Sequence, residues 1–133
     1  MNIAYLDALP GLRTDIDDEL GGDEKGVFTA RLSCFGTETD QFLGGHSSRL
    51  YLTNRRIIAD NTVRLWSVDL VEDVADCEIV ERGIPFLKST VVRVGLNRTV
   101  SYGDGHATLQ GFRFYLKSKD GERFAALMNG VLG

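Results

Sequence analysis

Two cysteines and two prolines are all that this 133-residue chain has of the residues that staple or interrupt a fold. Cys34 and Cys77 are too few for a disulfide framework and lack C-x-x-C spacing, so both are expected as thiols in a reducing compartment. A basic surplus is also missing. The net charge is −4, and residues 1–25 hold seven acids against Arg13 and Lys25, which leaves the remainder at +1. A protein that holds nucleic acid by neutralising phosphates displays a basic excess, so no nucleic-acid partner is expected. No apolar run approaches the roughly 18 residues of a membrane span, so no transmembrane segment is expected. The start, MNIAYLDALPGL, has no basic leader, and Asp7 and Pro10 interrupt any apolar signal core, so the expected location is cytoplasmic.

What is present is a globular composition, 43% hydrophobic and 26% charged, at the length of one domain with one core. In the acidic lead-in (residues 1–21), Thr14-Asp15-Ile16-Asp17 has the form of a capping box, and Leu12, Ile16 and Leu20 recur at helical spacing before Gly21-Gly22. A short N-terminal helix is predicted there. An EF-hand loop beginning at Asp15 fails, because Leu20 and Gly26 stand where glycine and glutamate are required. From Gly26 the period becomes that of strands: residues 27–34, then 49–52 and 56–59 as a hairpin turning at Thr53-Asn54-Arg55, then 63–70. Residues 77–82, 89–94 and 112–117 read as further strands, about seven in all. Residues 36–45 read as a polar loop, and Asp60-Asn61, Pro85, Asn97 and Gly103-Asp104-Gly105 as connections or turns. Phe124, Leu127, Met128 and Val131 follow the i, i+3, i+4, i+7 rule, which predicts a C-terminal helix closing an open end of the barrel.

This order resembles the pleckstrin-homology superfold: Gly22-Asp23-Glu24, one strand, then Arg49-Leu50-Tyr51-Leu52-Thr53-Asn54-Arg55-Arg56-Ile57-Ile58-Ala59, further strands and a closing helix. Within it, the hairpin is similar to that of GRAM-like and bacterial pleckstrin-homology-like domains. The resemblance covers roughly residues 20 to 132, and residues 22–133 are expected to form the domain. It implies a mostly β fold: two antiparallel sheets packed nearly at right angles into a partly open barrel, capped by the C-terminal helix. It also implies a non-catalytic module that binds peptides, other domains or phosphoinositides, some bacterial members assembling as rings.

In the resembled family, lipid headgroups are gripped by basic residues on the first two strands and the loop between them. Here residues 36–45 carry Glu38 and Asp40 and no base, with only Arg31 and Arg49 flanking. Phosphoinositide binding is therefore disfavoured. His46, Ser47 and Ser48 hold the raw material of nucleophilic catalysis, but adjacent strand residues face opposite ways and no G-x-S-x-G elbow accompanies them. Cys77 with a histidine, or His46 and His106 with a carboxylate, lack local ligand spacing. No catalytic residue, metal ligand or cofactor is expected. The binding candidates are Arg49, Arg55, Arg56 and Arg64 as a basic patch for an acidic partner, the lead-in of another copy included, with Phe42 and Leu43 at a loop tip, there to pack or to insert. The expected function is a cytosolic module acting through protein contacts and self-association, by strand addition at a sheet edge or docking between a strand and the last helix. The alternative is a peripheral lipid or small-ligand binder.

Overall fold

In the computed structural model, the described residues are 1–82, 89–102 and 107–133. Pro85, Gly103-Asp104-Gly105 and His106, read above as turn and loop residues, lie outside them. Three helices and nine strands follow in the order α1 (Ile3–Asp7), β1 (Gly26–Arg31), β2 (Cys34–Thr37), β3 (Phe42–Gly44), β4 (Arg49–Thr53), β5 (Arg56–Asp60), β6 (Leu65–Asp69), α2 (Leu70–Asp73), β7 (Val74–Glu81), β8 (Thr90–Tyr102), β9 (Ala107–Leu116) and α3 (Ser118–Leu132). They build two antiparallel sheets, ordered β1-β4-β5-β6 and β3-β2-β9-β8-β7.

The strand expected over residues 27–34 is divided between these sheets. The Leu32 amide donates to Ser48 O at 2.9 Å on the first sheet, while the next amide, Ser33, donates to Tyr115 O at 2.7 Å on the second. Consecutive donors therefore serve different ladders, and the chain bends between them. The returning path does the same: residues 36–45, read as loop, contain β3, which pairs with β2 before the chain crosses to β4. Counted as two interrupted strands, these four segments reduce nine to the seven expected.

The hairpin at residues 49–60 forms as read, in the register Arg49↔Asp60, Leu50↔Ala59, Tyr51↔Ile58 and Leu52↔Ile57. Period two then sorts its side chains. Leu50, Leu52, Ile57 and Ala59 enter the main core with Phe28, Phe35, Phe112 and Phe114, whereas Tyr51 and Ile58 form a second cluster with Ile16. Asn97, read as a turn, lies within β8, where the ladder with β9 loses register between Gly95 and Val100. An irregularity inside a 13-residue strand absorbs what asparagine signalled.

α3 closes the barrel. Phe124, Leu127, Met128 and Val131 are each fully buried, and at about 1.5 to 3 kcal/mol for each such side chain this face supplies what a short helix cannot hold alone. Gly121 sits where β8 presses closest: a Cβ there would meet Thr90 Cγ2 at 2.8 Å.

The N-terminal helix is real but lies elsewhere than expected. It is α1, whose Leu6 is fully buried in the main core and whose Asn2 amide bonds Val131 O at 2.6 Å. Residues 12–20 form no α-helix, only a 3-10 turn at Asp17–Glu19. Leu12 is diverted into a bridge with Gly26, its amide bonding Gly26 O at 2.8 Å. Asp17 takes both the amide and the hydroxyl of Thr14, at 3.1 and 2.6 Å, so the capping chemistry closes a turn rather than starting a helix. The segment is a strap across the outer face of the first sheet, with Ile16 set against Tyr51 and Ile58.

Candidate functional site

Three places combine chemistry with shape: the hairpin turn, the β2–β3 loop, and the gap between β7 and α3.

At the hairpin turn, side chains tie the strap down. Asn54 is 4% exposed; its Oδ1 accepts the Lys25 amide at 2.9 Å and its Nδ2 donates to Asp7 Oδ1 at 2.8 Å and Asp23 O at 3.2 Å. Arg56 forks onto Glu24, Nε to Oε2 at 2.9 Å and Nη2 to Oε1 at 3.2 Å, and also donates to Glu19 O at 2.8 Å. The Thr53 hydroxyl gives Glu24 a further bond at 2.6 Å, and Arg55 pairs with Asp23. Burial pushes the Glu24 carboxyl up, but the bonds from Arg56, Thr53 and the Gly21 amide outweigh it and hold Glu24 below its ordinary range. Lys25 completes the clasp, its ammonium donating to the carbonyls of Asp7 and Leu9. The carboxylates that Arg55 and Arg56 meet here, Asp23 and Glu24, belong to the same chain and directly follow its lead-in.

The four arginines read as one patch are separated by the hairpin. Arg55 and Arg56 sit at its turn, and Arg49 at the far end of β4, roughly 14 Å away along a five-residue strand. There Arg49 donates to Thr29 Oγ1 at 3.0 Å, and Arg64 lies over the Trp66 ring, 4.3 Å from its centroid. Phe42 and Leu43 divide too, Phe42 71% exposed and Leu43 packed against the core.

The β2–β3 loop is tight and acidic. The Thr37 amide donates to Gln41 O at 2.9 Å, and Asp40 adopts φ 62°. Glu38 accepts the Gln110 amide at 3.1 Å, and Asp40 accepts the Tyr115 hydroxyl at 2.9 Å with Arg113 4.0 Å away. Its two carboxylates are thus both engaged by groups of β9. Nearby, His46 and Ser47 are exposed while Ser48 is 2% exposed.

A groove of about 320 Å³ lies between β7 and α3, lined by Cys77, Ile79, Ala125 and Ala126 with Glu78, Arg82, Glu122 and Asn129 at its polar side. β7 ends the five-stranded sheet, so one ladder edge runs along this groove. Arg82 and Glu122 pair across it at 2.8 Å, both largely solvated. Burial, then the negative Asp76, pushes the Cys77 thiol up to about 12, so it lines the groove as a small apolar group. Sequence reasoning reached this strand-helix gap only through the resemblance, because no motif joins residues 77–79 to 122–129.

The fold has a solved counterpart. It is similar to a structure described as the Vps36 N-terminal PH domain, with TM-score 0.60 and 18% identity over 85% of this chain and 83% of that one. The fold is pleckstrin-homology-like. No family model and no curated protein matches the chain. The pleckstrin-homology-like barrel therefore fixes the architecture, and at this identity it carries the fold alone. No described helix is long and apolar enough to cross a membrane. Within that barrel, the β2–β3 loop sits at one end of the five-stranded sheet, the β7–α3 groove lies between its other edge and the closing helix, and the strap crosses the outer face of the first sheet.

Proposed function

We propose that the chain is a non-catalytic cytosolic interaction module that takes an extended peptide segment of a partner protein along β7, with a small apolar side chain set into the groove beneath α3. The observation that carries this reading is the coincidence of a ladder edge that is unpaired among the described residues with the groove between β7 and α3. Main-chain bonds to β7 would supply affinity, and the slot between Ile79 and Ala126 selectivity, as in other strand-addition modes. Partner binding is assigned to the groove rather than the hairpin arginines, because Arg55 and Arg56 already spend their forks on Asp23 and Glu24. Self-association through that patch would have to displace pairs made within one chain.

The test is a displayed library of extended peptides, followed by amide chemical-shift mapping of a selected binder. Shifts centred on residues 75–81 and 122–129, abolished by Ala126→Arg, are expected. Ala126 is exposed, so the substitution plugs the slot without entering the core. Shifts centred on the β2–β3 loop or the strap would reject the assignment.

A further inference from the structure

β7 divides its two faces by chemistry. Cys77 and Ile79, opposite Val94 and Val92 in the ladder with β8, turn toward the core and the groove beneath α3. On the other face the register sets Asp76 against Gly95, Glu78 against Arg93 and Glu81 against Val91, so each residue that β7 pairs there is an acid. Arg93 serves two of them, its Nη2 lying 2.7 Å from Asp76 Oδ1 and its Nε 3.1 Å from Glu78 Oε1. Each of these carboxylates keeps its second oxygen outside that pairing, and Glu81 is exposed with no ion pair among the described residues. Along the edge and the groove together, Asp76, Glu78, Glu81 and Glu122 stand against Arg82 and Arg93, which leaves acid in excess. Arg113, next to Arg93 in the ladder, has Asp40 4.0 Å away, and the exposed Arg123 of α3 is outside the groove lining.

We infer that the segment taken by β7 is basic: an extended stretch of a partner protein with lysine or arginine at alternate positions and a small apolar residue between them. This rests on the strand-addition reading of the groove and names the partner's chemistry. A strand added to β7 lies about 4.8 Å from it and repeats its side chains on each face with the same period of two. When its apolar residues enter the slot under α3, the intervening ones fall beside Asp76 and Glu78. Opposite charges facing each other across strands stabilise the pair, and like charges oppose it. A carboxylate accepts at several sites, so each acid can meet an incoming cation without releasing Arg93. The outer face then alternates in sign from Arg93 on β8 to the acids of β7 to the bases of the partner. A second copy is a poor occupant, because β7 laid on β7 brings carboxylates against carboxylates. The same charges that keep this edge from pairing with itself select the partner.

The test compares three fluorescein-labelled peptides by anisotropy titration: Thr-Lys-Val-Lys-Val-Lys-Thr, and its counterparts with glutamine or glutamate in place of lysine. The lysine peptide is expected to bind at least about fivefold tighter than the glutamine peptide, with the glutamate peptide weakest. Ala126→Arg should abolish binding. Glu78→Gln and Glu81→Gln should each reduce the lysine preference, whereas Asp18→Asn, which removes one charge from the strap on the other sheet, should leave it unchanged. Glu81→Gln keeps both Arg93 pairs in place, so it stays readable if Glu78→Gln disturbs β7. Equal affinity for the lysine and glutamine peptides, both lost in Ala126→Arg, overturns the inference and leaves strand addition standing. A lysine preference that Asp18→Asn lowers as much as Glu78→Gln does reports general attraction to an acidic chain and overturns it too. Binding of none of the three also overturns it, and strand addition then stands or falls on the displayed library alone.

Discussion

Asn54 shows how one residue type can serve two purposes. In the sequence it marks a turn; in the structure it also fastens the lead-in, with three side-chain bonds made from a buried position. Asn54→Ala removes the partner of the half-buried Lys25 amide, while the exposed Asp7 carboxylate turns to water, and should cost about 1 to 2 kcal/mol. A urea titration should show a lower midpoint at unchanged slope. Glu24 gives the clasp a pH dependence. Its folded carboxyl lies below the ordinary range, so it releases its proton more readily folded than unfolded. Its contribution is therefore present above the unfolded carboxylate range and is lost as pH falls through the folded value. Glu24→Gln should reduce stability at neutral pH and flatten the acid side of a melting-temperature profile, which thermal melts between pH 7 and pH 3 would show.

Among the elements, the legible ones were those whose period and partners agree. The 49–60 hairpin alternates cleanly and its inward residues all reach one core; α3 shows an unbroken apolar stripe that docks on that core. The lead-in misled because spacing alone does not name what an apolar residue packs on. Ile16 and Leu20 sit four apart, yet both serve a sheet face rather than a helical stripe, and Leu12 is 43% exposed. α1 was hidden for the opposite reason: five residues with one buried leucine display no period. The bend at Leu32-Ser33 leaves no compositional trace, since apolar and polar residues continue to alternate through it. Of the candidate site, the acidic loop was visible in the sequence, whereas the groove and the intrachain partners of Arg55 and Arg56 arise only from folding. Two element-level outcomes follow. Gly121→Ala should destabilise despite alanine's better helix propensity, because its Cβ would press on Thr90. Ile16→Asp should loosen the strap while leaving the barrel folded, so limited proteolysis would cut residues 12–24 selectively.

For the whole molecule, charge and apolar surface are distributed unevenly between the two sheets. The first sheet carries the strap on its outer face and sets Arg31 opposite Arg49 in its β1–β4 ladder. On the second, Asp76 and Glu78 neutralise Arg93, which faces Arg113, beside Asp40. Ala126→Arg, at an exposed position of α3, should abolish peptide binding at unchanged melting temperature, read by titration of the variant with the selected peptide.

The contact between α1 and the last turn of α3 has a topological consequence. Asn2 bonds Val131, and Tyr5 lies against Gly130 so closely that a Cβ there would meet its ring at 2.5 Å. With these ends side by side, a short glycine-serine linker from residue 133 to residue 1 would convert the chain into a ring, free to be reopened at the exposed 62–63 turn. The permuted chain would retain the same barrel while changing which contacts are local. α1 would follow α3 directly, so their pairing would close a loop of a few residues instead of one spanning nearly the whole chain.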